Sequence, residues 1–175
     1  MRTLSLLAVA GLAAAPVPTP IGVGPLYHPP AHTPGAAAFA CRDAPLRDGL
    51  RVHLELFAHR RVVIVPAAIG VRGATFRLGN VVGAHCRASV RTLDPTGVVW
   101  LDRAGTRLAA VFDVWGQALS PARLAGFQGA VTVFVNGVRR NVDPRRLPLR
   151  AGDEIVLEVG GYVPPHASFR FPPSS

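Results

Sequence analysis

The sequence predicts an α+β domain in which mostly antiparallel β-hairpins pack on one principal helix. Several short segments alternate apolar with polar residues, which is the period of a half-buried strand. Two of these segments flank Asn136–Gly137, a dipeptide that favours a tight hairpin turn because both residues tolerate positive φ. Over residues 107–119 the apolar spacing changes to three and four, which is typical of an amphipathic helix.

The composition fits one folded domain with a tail. The chain has 175 residues, of which 49% are hydrophobic, enough to form a core. Its net charge is +9, and all 19 basic residues are arginine because lysine is absent. A basic surface favours anionic partners, although an arginine-rich proteome would produce the same balance without any binding function.

The N-terminus has the features of a secretory signal peptide. Arg2 precedes an apolar run over residues 4–15 that is too short to span a bilayer. The run ends in three alanines, which fit a small-x-small cleavage site. We therefore expect residues 1–15 to be removed and the protein to be secreted or extracytoplasmic, with a retained anchor as the alternative. No transmembrane helix is expected in the mature chain.

A linker and a disulfide are predicted before the folded domain. Residues 16–47 are rich in proline and alanine, and proline lacks an amide donor and stiffens the chain. The β-rich domain is expected over residues 48–173. Cys41 and Cys86 are the two cysteines of the chain. An even count in an exported protein predicts one disulfide, with two separate buried thiols as the alternative.

The first strands are predicted from alternation. Residues 50–58 form the first, with its even-numbered apolar side chains facing one way and His53 and Glu55 facing the other. A two-residue turn at His59–Arg60 leads to a second strand that ends at Pro66.

The next hairpin is predicted to have one buried and one solvated face. Over residues 85–93, the predicted inward side chains are Cys86, Ala88 and Val90, and the outward ones are Arg87, Ser89 and Arg91. Asp94–Gly97 has proline and glycine where a reverse turn favours them, so residues 98–102 return as the partner strand.

The second half of the chain is predicted to be a helix followed by hairpins. Thr106 is a candidate N-cap for the helix, which Gly116 bends or ends, and Ser120–Pro121 is typical of a second helical turn. Strands are then expected over 131–135, 138–142 and 154–159.

Part of this second half resembles the β-grasp fold. The stretch "VTVFVNGV" followed by "LPLRAGDEIVLEVGG" is similar to the second half of sulfur-carrier and other ubiquitin-like domains, and the helix precedes it in the expected order. The resemblance covers about 65 residues and implies a β-grasp-like architecture. It does not imply the carrier function, which uses a C-terminal diglycine, because fourteen residues follow Gly160–Gly161 here.

A longer stretch, from His53 to Pro173, resembles a poorly characterised group of secreted bacterial proteins. The matching motifs are "VPAAIG" at 65–70, "FDVWG" at 112–116 and "DPRRLPL" at 143–149. Clustered histidines in that group imply a metal site. In this chain the His-Thr-His-Asp position is occupied by "RTLD" at 91–94, and His53 alone remains of the first histidine cluster.

The residues predict binding rather than catalysis. No G-x-S-x-G stretch or phosphate-binding glycine loop occurs, and His85 and Cys86 are strand neighbours that point to opposite faces. We therefore expect a non-enzymatic protein of the cell envelope with no catalytic residue and no cofactor. The predicted basic patch comprises Arg139, Arg140, Arg145, Arg146 and Arg150.

The expected partners of this patch are anionic envelope polymers, lipid head groups or an acidic protein. Nucleic acid is not expected, because the arginines lack interleaved aromatic side chains for base stacking. The alternative function is a metal site formed by His53, Glu55 and Asp94, residue types that ligate metals. A metal-free protein is the expectation, since Arg91 and Leu93 replace two histidines and a fixed positive charge repels cations.

Overall fold

The computed structural model describes residues 27–31 and 39–172. The predicted signal peptide and most of the predicted linker lie outside these residues. Within them one α-helix, Leu108–Trp115 (α1), and one 3₁₀ turn, Pro144–Arg146, accompany fourteen strands. The strands are Leu50–Ala58 (β1), Arg61–Val63 (β2), Val71–Arg72 (β3), Thr75–Arg77 (β4), Asn80–Gly83 (β5), Cys86–Arg87 (β6), Val90–Thr92 (β7), Val98–Leu101 (β8), Leu119–Ser120 (β9), Arg123–Leu124 (β10), Phe127–Gln128 (β11), Val131–Val135 (β12), Val138–Arg140 (β13) and Glu154–Val159 (β14).

The main sheet is mixed and has seven strands. Its order is β13-β12-β14-β1-β8-β7, with β2 also paired to β1. The two central strands, β1 and β14, are parallel, and the other pairs in this sheet are antiparallel. Strand β1 pairs with β14 along one edge. Along its other edge it pairs with β8 over residues 50–53 and with β2 over residues 56–58.

The predicted fold class is wrong. We expected an α+β, β-grasp-like domain built on a principal helix, whereas the described chain is mostly β and its helix has eight residues. Four of the strands that were not predicted, β3, β9, β10 and β11, are only two residues long. Strands this short contain no complete alternation, so hydrophobic periodicity does not reveal them.

Helix α1 packs on the first face of the main sheet, the face that carries Val52 and Leu54. Phe112 and Trp115 are fully buried in this core. The helix ends at Gly116, one of the two outcomes predicted for this residue, because Gly116 adopts φ 77° in a left-handed cap that is unfavourable for other residues.

Two predicted features around this helix are wrong. Thr106 does not cap it: Arg107 occupies the N-cap position without a side-chain hydrogen bond, and the Thr106 hydroxyl donates to the Arg103 carbonyl. Ser120–Pro121 does not open a helical turn, since Ser120 lies in β9, and its hydroxyl accepts from the Ala122 amide.

The predicted hairpin turns at His59–Arg60 and Asn136–Gly137 are confirmed. His59 and Arg60 have positive φ between β1 and β2, as do Asn136 and Gly137 between β12 and β13. The Asn136 side chain also bonds outside its hairpin. Its Oδ1 accepts from the Glu154 amide at 2.8 Å, and its Nδ2 donates to Asp153 at 3.2 Å.

The Cys41–Cys86 disulfide is confirmed, but the predicted solvated face of residues 85–93 is wrong. Arg87 and Arg91 are buried, and the guanidinium group of each forms an ion pair with Asp102. Arg91 also donates to the carbonyls of Leu46 and Asp48. The residues before β1 therefore cover this face. Their carbonyl groups accept hydrogen bonds from the guanidinium groups of Arg87 and Arg91, which strand alternation alone had placed in solvent.

The second face of the main sheet carries His53, Glu55 and Phe57, and the C-terminal residues cover it. Phe57 packs there with Phe134, Val156 and Val163. None of the described helices is long and apolar enough to cross a membrane.

Candidate metal centre

The parallel pairing of β1 with β14 creates a polar cluster on the second face. Its register places His53 directly opposite Glu154, and Glu55 lies on the same face two residues further along β1. Because both strands are central, these side chains are shielded from solvent: His53 is 5% exposed, Glu154 0% and Glu55 13%. A ligand set is thus built on two rigid neighbouring strands.

The imidazole of His53 is oriented by hydrogen bonds at both nitrogens. Nε2 lies 2.7 Å from the carbonyl oxygen of Thr96, which can only accept, so Nε2 carries the proton of this bond. Nδ1 therefore points at the carboxylates. It lies 2.8 and 3.0 Å from the two oxygens of Glu154 and 4.0 Å from Oε1 of Glu55.

A tight turn between β7 and β8 places the Thr96 carbonyl against His53. Gly97 has φ 88°, and a Cβ there would lie 2.5 Å from the Leu54 carbonyl oxygen and 3.0 Å from Nε2 of His53. Glycine is therefore required by both backbone conformation and close approach. Asp94 braces the same turn by accepting from the Thr96 amide and hydroxyl.

The site borders a cavity of about 320 Å³ on the second face. The cavity lies where the neighbour of β1 changes from β8 to β2, and Val62, Val65 and Pro95 line it beside His53 and Glu55. A small ion or molecule therefore has room next to the polar cluster.

Two C-terminal side chains complete the cluster. His166 places Nδ1 at 2.8 and 3.0 Å from the oxygens of Glu55. The Phe169 ring stacks on the His53 ring with 3.7 Å between centroids and an angle of 10° between planes. Both residues on β1 thus contact the segment that follows β14.

Burial and mutual hydrogen bonding shift the pKa values of the central pair. Burial alone lowers the pKa of His53, but the hydrogen bond and charge of Glu154, together with Thr96 and Glu55, outweigh it and raise this pKa. Burial raises the pKa of Glu154, and His53 offsets this only in part. The pair consequently retains a proton between Nδ1 and the carboxylate, which a metal ion would have to displace.

The cluster has the dimensions of a metal site. One ligand atom from each of His53, Glu55 and Glu154 lies within 4.8 Å of the others. Two ligands that are each about 2.0–2.2 Å from one ion lie roughly 3–4 Å apart, which matches the separations at Nδ1. Both cysteines are in the disulfide, so nitrogen and oxygen are the available ligands. Imidazole with carboxylates suits divalent first-row transition ions.

The structure brings together only part of the metal site predicted from sequence. His53 and Glu55 converge, but Asp94 lies in the turn that positions Thr96 and is not in the cluster. Sequence reasoning missed Glu154 and His166. Glu154 and Glu158 were recognisable as the polar face of a strand whose other face is apolar, but nothing local indicated that this strand pairs with β1.

The arginines of the predicted basic patch differ in their exposure. Four of its arginines are exposed, namely Arg139, Arg140, Arg146 and Arg150. Arg145 is half-buried and pairs with Asp113, with 3.0 Å between Nη2 and Oδ1. Arg140 and Arg150 line a groove of about 400 Å³. Arg139 lines a second groove, together with Glu158.

No protein-family model, curated protein or solved structure matches this chain.

Proposed function

We propose that this protein binds a divalent first-row transition-metal ion through Nδ1 of His53 and the carboxylates of Glu55 and Glu154. The observation that carries the proposal is the hydrogen bond from Nε2 of His53 to the Thr96 carbonyl. Histidine ligands in metal sites typically donate their second N–H to a carbonyl or carboxylate, which sets the tautomer and aims the other nitrogen at the ion.

The charge of the cluster also favours a cation. A simple buried ion pair needs one carboxylate beside His53, whereas two lie within 4.0 Å of Nδ1. The second carboxylate, that of Glu55, is 13% exposed and is costly to shield from solvent unless a proton, a cation or its partner His166 neutralises it. A divalent ion would neutralise both carboxylates and would also join β1 to β14 at the centre of the sheet.

Metal content and calorimetry test the proposal. Untagged mature protein should bind one equivalent of Zn²⁺ or Mn²⁺ and release protons on binding, because the ligands must lose them. Glu154→Gln should weaken binding about 100-fold, since it removes a charged ligand and leaves an amide in its place. The control is Asp43→Asn, which removes an exposed carboxylate outside the cluster. Absence of binding by the parent protein, or equal loss in both variants, contradicts the metal site.

We propose that the protein acts outside the cytoplasm. The disulfide supports this location, because such bonds persist in oxidising compartments, and so does the signal-like sequence over residues 1–15. Its test is fractionation of the producing cells with an epitope inserted after the predicted cleavage site. Retention in the cytoplasm as reduced protein contradicts the proposed location.

A second candidate function is contact with an anionic envelope polymer, lipid head groups or an acidic protein. The observation that favours it is that Arg139, Arg140, Arg146 and Arg150 are exposed and form no ion pair within residues 27–31 and 39–172. Such contact should weaken steeply with salt, since the screening length is about 8 Å at physiological ionic strength.

Retention on an anionic matrix tests this second function. Replacing those four arginines by serine should abolish retention. The charge-matched control replaces four other exposed arginines, Arg77, Arg103, Arg107 and Arg123, and should retain most of it. Equal elution of both variants would show that net charge alone, rather than this surface, causes retention.

A further inference from the structure

The C-terminal segment, residues 162–172, lies over the second face without regular secondary structure. No backbone–backbone hydrogen bond joins it to the rest of the described chain. It is fixed by side chains and by two main-chain groups, since the Val163 N–H donates to Glu158 at 3.3 Å and the Pro172 carbonyl accepts from Arg51. Segments with few backbone hydrogen bonds open at a lower free energy than the core strands that they cover.

The contacts of this segment are directed at the metal ligands. His166 bonds to Glu55, and Phe169 stacks on His53. Further along, Phe171 packs on Phe169 with 5.1 Å between ring centroids and lies under the Arg51 guanidinium. Because His53 is almost fully buried beneath Phe169, an ion reaches Nδ1 more readily when the segment lifts.

We propose that residues 162–172 form a lid over the metal site and that His166 becomes the fourth ligand when the ion is bound. This inference rests on the proposed metal site. Three protein ligands leave a coordination position open, whereas a closed site typically has four. Among the described residues, His166 is the other imidazole beside the cluster, and its Nδ1 already lies 2.8 Å from Oε1 of Glu55.

The distances make the required movement small. The oxygen of Glu55 that contacts His166 lies 4.0 Å from Nδ1 of His53. An ion midway between those two atoms would lie about 2 Å from the Glu55 oxygen, which is the usual distance between a metal ion and its ligand. The imidazole of His166, at 35% exposure, has space to turn toward the ion. Binding would then exchange the His166–Glu55 hydrogen bond for two bonds to the same metal and hold the lid closed.

Zn²⁺ titration and hydrogen exchange of the mature protein test the lid. His166→Ala should weaken Zn²⁺ binding about tenfold or more, a loss in the range seen when a supporting group of a metal site is removed. It should also accelerate Zn²⁺ transfer to a chelator. In the parent protein, Zn²⁺ should slow amide exchange over residues 162–172. With Co²⁺, the parent should show the intense visible absorption of a four-coordinate ion, which His166→Ala should change.

Two further variants separate the possible outcomes. His85→Ala removes an exposed histidine outside the cluster and should bind Zn²⁺ as the parent does. Truncation after Gly161 removes the whole segment and should accelerate metal exchange. If the truncated protein does not fold, His166→Ala provides the test instead.

If the parent binds no metal, the metal site itself is wrong. If it binds and His166→Ala binds equally, or if Zn²⁺ speeds exchange in the segment, the metal site stands and the lid is overturned.

Discussion

Nδ1 of His53 lies 2.8 Å from Oε2 of Glu154, a residue 101 positions later in the chain. The contact exists because β1 and β14 pair in parallel at the centre of the sheet, with these two residues in register. A parallel pair needs a long connection, and here almost the whole domain forms it. The candidate metal centre is therefore a property of the finished sheet.

Metal binding should stabilise the protein through this cross-strand pair. A ligand that binds only the folded state at 100 times its dissociation constant adds about 2.7 kcal/mol to the free energy of unfolding. We expect Zn²⁺ to raise the melting temperature of the parent and to leave that of Glu154→Gln nearly unchanged. Calorimetry with and without Zn²⁺ measures both shifts, and equal shifts would indicate binding elsewhere.

Stability should fall with rising pH because of Glu158, which is buried on the second face. Burial raises the pKa of this carboxyl to about 7, and the hydrogen bond from the Val163 amide lowers it only in part. An unfolded glutamate has a pKa of about 4.3. The contribution is therefore fully present below about pH 4.3 and is lost as pH rises to about 7, a change of roughly 4 kcal/mol.

The variant Glu158→Gln tests this pH dependence because its side chain stays neutral. Its stability relative to the parent should increase between about pH 4.5 and pH 7 and level off above that. Urea unfolding at several pH values measures the difference, in which titration of the other groups cancels. Parallel stability curves for the two proteins would show that Glu158 ionises normally.

Loss of the disulfide should destabilise the domain substantially. Cys41 and Cys86 are 45 positions apart, and chain-entropy reasoning assigns a loop of this size about 4 kcal/mol. We expect the double variant Cys41→Ser, Cys86→Ser to melt about 10 °C lower than the parent. Reductant should lower the melting temperature of the parent and leave that of the variant unchanged. Free thiols in the unfolded, non-reduced parent would refute the bridge.

Arg91 should contribute far more to stability than an exposed arginine. Its guanidinium is fully buried and donates to Asp102 and to two carbonyls of the residues before β1. Arg91→Ala leaves the carbonyls of Leu46 and Asp48 without this donor, at a cost of about 1–3 kcal/mol, while Asp102 keeps its ion pair with Arg87. Arg103→Ala, at an exposed position, should change stability by less than about 0.5 kcal/mol. Similar urea midpoints for the two variants would contradict this role of Arg91.

Asn136 should matter for two separable reasons, its positive φ and its side-chain hydrogen bonds. Asn136→Gly keeps the backbone freedom and loses the bonds to Glu154 and Asp153, at a cost of about 1–2 kcal/mol. Asn136→Ala loses both, so it should cost about 1 kcal/mol more. Chemical denaturation of the two variants separates the contributions, and equal stability would show that φ is unimportant at this position.

Local features were predictable from sequence because their causes lie within a few residues. The turn at Asn136–Gly137 follows from the tolerance of these residues for positive φ, and the end of α1 from the left-handed preference of Gly116. The disulfide was predictable by count, since the chain has two cysteines. His53 and Glu55 were recognised as candidate ligands on one face because strand alternation is also local.

The tertiary structure decided the fold class, the third ligand and the burial of the polar residues. Alternation assigned Arg91 to solvent, but the residues before β1 supply carbonyl acceptors that allow its burial. Similarly, Glu154 joined the site in place of Asp94 because β14 pairs with β1. Strand pairing and burial depend on apolar area and hydrogen bonds summed over segments far apart in the chain, so no window of sequence contains them.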